Sequence, residues 1–402
     1  MESKCKKVMV IGAGPLQMPI ILKAKELGNF VIVVDRDENS IGFKYAHEFK
    51  NIDIINKEEC LKYAEEKQID GVLTVATDYG VLTTSYIAEK LNIKALDYNI
   101  CEVVKNKYKI RRCFKEKMLE DIGKVVSVET IDEIEKVKSK IELPVIIKPI
   151  DGSGSRGVSI VRNICDFEEK AINAIELSIS NKAIIEKFIT GVEYGVEVFV
   201  EENCIHILAI MEKTMTNPPV FAELGHAVLI EENNIKKRIS SSVIKAIRAL
   251  GINFGSVNMD VIVNDEEVNI IDIGARAGGN LISSHIIPLS TGIDLYANII
   301  RASLGEETNF KAKEVLTPIA TRILNLKSGV VSSIDYSKIN ELKKLNYVKD
   351  IIINVKEGSV VREYKNNLDS CGYIVVEGIN KDDAKRKALF IRDELERLIK
   401  IG

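Results

Sequence analysis

The sequence predicts an α/β protein in three parts. These are an N-terminal Rossmann-like domain with a parallel sheet, an α+β body carrying a small lid, and a mixed α/β C-terminal domain. Three observations predict it. Strand and helix patterns alternate over residues 7–98, which yields a parallel sheet with helices on its faces. Residues 145–161, VIIKPIDGSGSRGVSIV, read as strand, glycine-rich turn, strand. Two β-rich runs, 254–263 and 267–273, each carry one aspartate, Asp260 and Asp272, and meet at a tight turn.

At 402 residues the chain exceeds one ordinary core, so roughly two to four domains or subdomains are expected. The apolar share of 46% is that of a globular protein. With 56 basic and 59 acidic residues the net charge is −3, and no basic stripe with interleaved aromatics argues for nucleic acid. No apolar run reaches the length of a membrane span. The first residues, MESKCKKVMVIGAG, lead straight into a strand and a glycine turn and read as structure rather than a signal peptide. Seven scattered cysteines without C-x-x-C predict a reducing, cytoplasmic setting and no structural zinc.

Strands are expected at 8–11 and 31–34, with a helix at 16–27 between them. Residues 60–67 and 81–91 read as helices around a strand at 71–75. Ligands gather at the carboxyl ends of such strands, where Gly12-Ala-Gly14, Asp35 and Thr77-Asp78 fall. Gly12-x-Gly14 with an acidic residue about 20 positions on suits a dinucleotide, but Gln17 stands at the third glycine position. That turn is therefore a dinucleotide site, a substrate site or a structural turn. Residues 106–120 start a basic helix, read either as a solvated face or as carrying Lys107 to a phosphate.

Residues 125–190 have the size of a lid: strand, helix 131–140, the glycine hairpin, helix 166–178 and strand 183–188. In the hairpin, Gly152, Gly154 and Gly157 let backbone N–H groups approach an anion, and Ser153 and Ser155 add hydroxyls. Lys148 sits at its base. Residues 152–157 also fit G-x-G-x-x-G, but a strand follows, not the helix a dinucleotide turn needs. The strand ending in Glu186, Lys187, Phe188 and Ile189 then enters a short hinge, with Glu193 beyond. Its backbone suits an adenine edge, and the two glutamates suit an amino group and a ribose hydroxyl. Residues 205–211 read as a strand. Residues 213–225, KTMTNPPVFAELG, are too polar and proline-broken for regular structure. The stretch ends in Glu223-Leu-Gly-His226. If the 254–263 and 267–273 runs pair about their turn, Asp260 and Asp272 share a face, as Mg²⁺ requires. Arg276 then lies beside the metal, suited to a phosphoryl group or a carboxylate. Residues 311–402 form short strands and helices poor in site chemistry and read as packing and assembly.

The ordered set Lys107, Lys148 with its hairpin, Glu186, the G-x-E of Gly191 and Glu193, Asp260, Asp272 and Arg276 resembles the ATP-grasp superfamily over nearly the whole chain. The layout is similar to biotin carboxylase, halves of carbamoyl-phosphate synthetase and L-amino acid ligases. The stretch 212–226 resembles the substrate loop of the last branch. The resemblance implies domains at 1–104, 105–310 (lid about 125–190) and 311–402. It implies that Lys107 and Lys148 hold the α- and β-phosphates and that residues 152–157 close over the triphosphate. Glu186 and the backbone of Lys187, Phe188 and Ile189 would read adenine, and Glu193 the ribose. Asp260 and Asp272 would bind Mg²⁺, with Mn²⁺ as a substitute, and Arg276 would steady an acyl phosphate. Where the family's run is E-x-N-P-R, this chain has Asp272-Ile-Gly274-Ala-Arg276, so one amide ligand is missing.

The implied activity is ATP-dependent carboxylate–amine or carboxylate–thiol ligation through an acyl phosphate, on an amino acid or similar small carboxylate, with release of ADP and phosphate. Glu223 and His226 are the candidate bases for the amine. The partners expected are the small carboxylate and amine, with no nucleic acid and no membrane, and a homodimer is the expected assembly. The rival readings are an ATP-grasp carboxylase or formyltransferase of nucleotide biosynthesis, a nicotinamide oxidoreductase using Gly12, Gly14 and Asp35, and a non-catalytic nucleotide-binding module.

Overall fold

The structure, a computed structural model, describes residues 5–119, 125–152, 154–201, 204–218, 220–265 and 267–402. The N-terminal sheet is parallel, ordered β3-β2-β1-β4, from β1 (Lys7–Ile11), β2 (Phe30–Asp35), β3 (Glu48–Asn51) and β4 (Gly71–Leu73). Strands β1 and β2 are apolar runs, and Val8, Met9, Val10 and Ile11 pack with no exposure. Such runs form where helices cover both faces. The helices Met18–Glu26, Lys57–Lys67 and Val81–Leu91 alternate with these strands.

The segment expected as a lid forms a four-stranded antiparallel sheet, β5-β8-β6-β7, from β5 (Val126–Val128), β6 (Val145–Pro149), β7 (Ser159–Val161) and β8 (Ala183–Lys187). The hairpin register pairs Val145 with Val161 and Ile147 with Ser159. Its helices, Ile131–Lys138 and Phe167–Glu176, lie on one face around Val145, Ile147 and Phe167.

An eight-stranded sheet forms the body, in the order β13-β12-β9-β10-β11-β14-β18-β16. Its strands are β9 (Val192–Glu201), β10 (Cys204–Met215), β11 (Glu223–Val228), β12 (Gly255–Val263), β13 (Val268–Gly274) and β14 (Ile319–Leu324), then β16 (Val348–Ile353) and β18 (Gly372–Glu377). A three-stranded sheet joins β15 (Gly329–Ile334), β17 (Val360–Val361) and β19 (Ile399–Ile401). The C-terminal strands thus continue the body sheet, through the pairing of Ala227 with Ala320. The helix Asn234–Leu250 covers the outer face through Ile239, Val243 and Ile247. Among the described residues no helix is long and apolar enough to cross a membrane.

One expectation fails here. Residues 213–225 are not irregular throughout. Strand β10 runs on to Met215 and β11 begins at Glu223, pairing Lys213 with His226. Polarity misled because three carboxylates surround Lys213, so a charged residue sits near the end of the strand on the inner face.

Candidate active site

Two cavities meet along the inner face of the body sheet. One, of about 480 Å³, lies between the lid and the sheet. The other, of about 390 Å³, lies between the sheet, the N-terminal domain and residues 366–368. They share Lys107, Gly152, Ser155, Arg156, Lys213, Met215, Asp260 and Asp272 at their junction.

The first cavity gathers most of the predicted nucleotide residues. Lys148, Lys187, Phe188, Ile189 and Glu193 line it together with Glu186, Gly152 and Ser155. Ile146, Ile262 and Ile270 give it apolar walls suited to a flat base. Gly154 lines the second cavity instead. Gly157 lines neither; its φ is +72° and a Cβ there would meet Pro149 Cγ at 2.9 Å, so it serves the turn. Ser153 lies outside the described residues.

Glu186 takes a different part from the one its sequence position suggests. Arg111 Nε contacts its Oε1 at 2.5 Å and Lys148 Nζ its Oε2 at 2.6 Å, with all three side chains buried. Burial opposes its charge, but Arg111 and Lys148 outweigh that and hold the carboxyl down to about 2. The carboxylate is committed to placing Lys148 rather than free for an adenine amino group. Burial also draws the Lys148 pKa down, against the pull of Glu186. Lys107 and Arg111, four apart on the helix Lys107–Glu116, face inward together. Lys107 Nζ donates to Gly152 O at 2.7 Å and meets Asp272 Oδ1 at 3.3 Å. The basic run is therefore not wholly a solvated face.

Asp260 pairs directly with Asp272 across β12 and β13. A bulge makes this register. Ile271 has no cross-strand partner, and its carbonyl accepts from Arg111 Nη2 at 2.8 Å and Lys148 Nζ at 3.1 Å. Burial, with Glu193, Asp272 and Glu223 nearby, pushes the Asp260 carboxyl up against the opposing Lys213. Lys107 and Lys148 hold Asp272 down to about 2 against its burial. Two opposed carboxylates among other acidic groups suit a hard divalent cation. Among the described residues no group of three or more His, Cys, Asp or Glu is arranged for a metal, so further ligands would be water, phosphate oxygens or a neutral side chain.

The sequence reading missed Lys213. Its ammonium lies 2.7 Å from Glu193, 3.0 Å from Asp260 and 3.5 Å from Glu223. Burial works against its charge, yet these carboxylates hold its pKa well above the ordinary value. The signal was a lone lysine inside the β-rich run 204–215.

In the second cavity, Arg276 Nη2 meets Asp78 Oδ2 at 3.1 Å, across from the N-terminal domain. Glu223 receives Asn280 Nδ2 at 2.6 Å and lies 3.3 Å from His226 Nε2. Burial opposes its charge, but His226 and Lys213 hold it at about 2. Both of its oxygens are thus engaged, one by Asn280 and the other by His226 and Lys213, so the carboxylate is placed to orient His226 rather than to take a proton itself. His226 is 3% exposed, and its Nδ1 has no partner among the described residues. The C-terminal unit is not poor in site chemistry, because Asn366, Asn367 and Leu368 line this cavity and Tyr364 Oη donates to Glu223 O.

The glycine turn near the N-terminus is sealed. Asp35 Oδ2 accepts Ala13 N–H at 2.7 Å and Gln17 Nε2 donates to Val75 O at 2.7 Å. Gly12, Gly14 and Asp35 line neither cavity. This removes the geometric basis of the nicotinamide reading.

Residues 141–285 match the ATP-grasp domain, and residues 322–397 match the L-amino acid ligase C-terminal domain 2. A formate-dependent phosphoribosylglycinamide formyltransferase of Methanocaldococcus jannaschii is 28% identical over 187 residues, 46% of this chain and 48% of that protein. The chain spans about half the length of several curated relatives that it matches. Among solved structures, an L-amino acid ligase from Bacillus licheniformis superposes with a TM-score of 0.83 at 21% identity, covering 100% of this chain and 99% of that one. A phosphoribosylglycinamide synthetase from Anaerococcus prevotii superposes at 0.76 and 25% identity, covering 99% and 100%. The first of these two is a likeness of fold.

Proposed function

We infer that this chain, which belongs to the ATP-grasp superfamily, is an ATP-dependent carboxylate–amine ligase acting on an amino acid or similar small carboxylate. The observation that carries this reading is the junction of the two cavities at Asp260, Asp272, Lys107 and Lys213. One cavity has the walls for a nucleotide, and the other has room for acceptors beside Arg276.

In this reading the backbone of Lys187, Phe188 and Ile189 holds the adenine edge, and Glu193 takes a ribose hydroxyl. Lys107 and Lys148 neutralise phosphates, with Arg111 and Glu186 placing Lys148. Residues 152–157 cover the triphosphate. Asp260 and Asp272 would hold Mg²⁺, which neutralises triphosphate charge when bound. The substrate carboxylate attacks the γ-phosphorus, and ADP leaves with the bridging oxygen and its electron pair. Positioning and charge carry this step. Arg276 then steadies the acyl phosphate. The amine attacks the acyl carbon, phosphate leaves, and His226 accepts the amine proton while Glu223 fixes its ring.

The match over residues 322–397 and the amino-acid ligase fold favour an amino acid as the carboxylate. The 28% identity to a formate-dependent enzyme supports a second reading, formate or a like small acid with the amine of a ribosylglycinamide. The test is ADP and phosphate release from MgATP with amino acids added singly and in pairs. Release that requires two amino acids is the expected result. Release with formate and phosphoribosylglycinamide alone moves the assignment to the second reading. Nucleotide binding without release in any mixture overturns both.

A further inference from the structure

Gly274 leaves one corner of the acidic site bare. In the antiparallel pair of β12 and β13, Asp260 stands opposite Asp272 and Asn258 opposite Gly274. Residues directly opposed share a face, and so do residues two apart on one strand. These four positions therefore form a square on the wall of the second cavity, which all four line. Three corners carry oxygen donors and the fourth has no side chain.

We propose that Asn258 supplies, from the opposite strand, the neutral oxygen ligand that Gly274 does not. This rests on the ligase reading, which puts a divalent cation at Asp260 and Asp272. The bare corner has a steric cause. A Cβ at Gly274 would come within 3.0 Å of Asp78 Oδ1 and 3.1 Å of Arg276 Cζ. A side chain at 274 would press on the ion pair that joins the N-terminal domain to the arginine. A ligand for that side of the cation then has to come from the facing strand.

Asn258 is oriented for the task. Its Nδ2 donates to Glu197 Oε2 at 3.0 Å. Glu197 is fully buried and is itself held by Gly278 N–H at 3.1 and 3.2 Å. With the amide nitrogen fixed there, Oδ1 is the atom left over, and it accepts no hydrogen bond from the described residues. An amide oxygen is a hard donor without charge. It adds a ligand where Glu193, Glu223, Asp260 and Asp272 already concentrate negative charge.

The test is Mn²⁺ titration of the full chain with a non-hydrolysable ATP analogue, read by electron paramagnetic resonance. Asn258→Ala and Asn258→Leu are expected to weaken at least one Mn²⁺ by roughly tenfold or more. Asn258→Asp, which keeps an oxygen at the same reach, is expected to hold Mn²⁺ within a few-fold of wild type. Metal-free binding of the analogue, followed by calorimetry, should be unchanged in all three and shows that they fold. Unchanged Mn²⁺ affinity in Asn258→Ala overturns the proposal. So does equal loss in Asn258→Asp and Asn258→Ala, which assigns Asn258 only to bracing Glu197. Mn²⁺ binding that depends on Asn258 without acceptor-dependent ADP release keeps the ligand assignment and sinks the ligase reading. Failure of wild type to bind Mn²⁺ overturns both.

Discussion

The turn at residues 12–14 and the turn at residues 152–157 share a signature: an apolar strand, then glycines, then a small or polar residue. In the first, the chain satisfies its own donors. Gly12 N–H donates to Val34 O at 2.9 Å, and Ala13 N–H to the Asp35 carboxylate at 2.7 Å. The short helix Ile41–Tyr45 closes over it, with Gly42 N–H on Ala13 O at 2.8 Å. In the second, Gly154 has φ +65° and no atom within 4 Å of where a Cβ would lie. Gly152 and Ser155 line both cavities, and Lys107 and Lys148 flank the first. The difference teaches that glycines make an anion site only where no neighbouring carboxylate or amide has already filled it.

Four experiments break or sharpen that contrast. The largest effect is expected from Lys148→Met at the open turn. ADP release should fall on the order of 10²–10³-fold, since a charge that neutralises the nucleotide's phosphates is lost. A fall of similar size in Asp35→Ala, at the sealed turn, would break the comparison.

Next is Glu186→Ala, which leaves the Arg111 and Lys148 charges buried without their partner. It should cost about 3–5 kcal/mol in urea unfolding. A loss below about 1 kcal/mol would mean that water reaches these cations.

The third concerns acid. Folding moves the Glu186 carboxyl from an ordinary 4.5 down to about 2. A depressed acid stabilises the fold above its unfolded value, and that contribution disappears as pH falls through its folded value. Stability should therefore drop from about pH 5 towards pH 2, and Glu186→Gln should flatten the slope of the urea midpoint against pH. An unchanged slope in Glu186→Gln assigns the acid sensitivity to other carboxylates.

The smallest effect is expected from Asp35→Ala. It orphans the Ala13 N–H and should cost about 1–2 kcal/mol, with ADP release from MgATP and acceptors unchanged. A thermal melt read beside the turnover assay checks both halves.

The glycine hairpin was legible because its signal is local: two β-rich runs, a turn between them and a lysine at the base. Asp260 and Asp272 were legible for a related reason, since a short turn folds one strand onto the next. The polar C-terminal end of β10 was not legible. A lysine in a strand looks like a break until the carboxylates that hold it are known.

What the sequence determined by itself was therefore the set of short-range elements: the parallel N-terminal strands, the lid hairpin, and the pair of aspartates. Pattern period and turn chemistry specify these within a few tens of residues. What only the tertiary structure decided was which polar groups spend themselves on each other. Arg276 meets Asp78 from 198 residues away, and Lys213 meets Asp260 from 47. Arg111 claims Glu186, Glu197 turns Asn258, and residues 366–368 reach the second cavity beside Arg276. Burial makes each of these pairings costly to leave unmade. No spacing along the chain records them, because the partners come together only when strands distant in sequence join one sheet or when separate units close on one another.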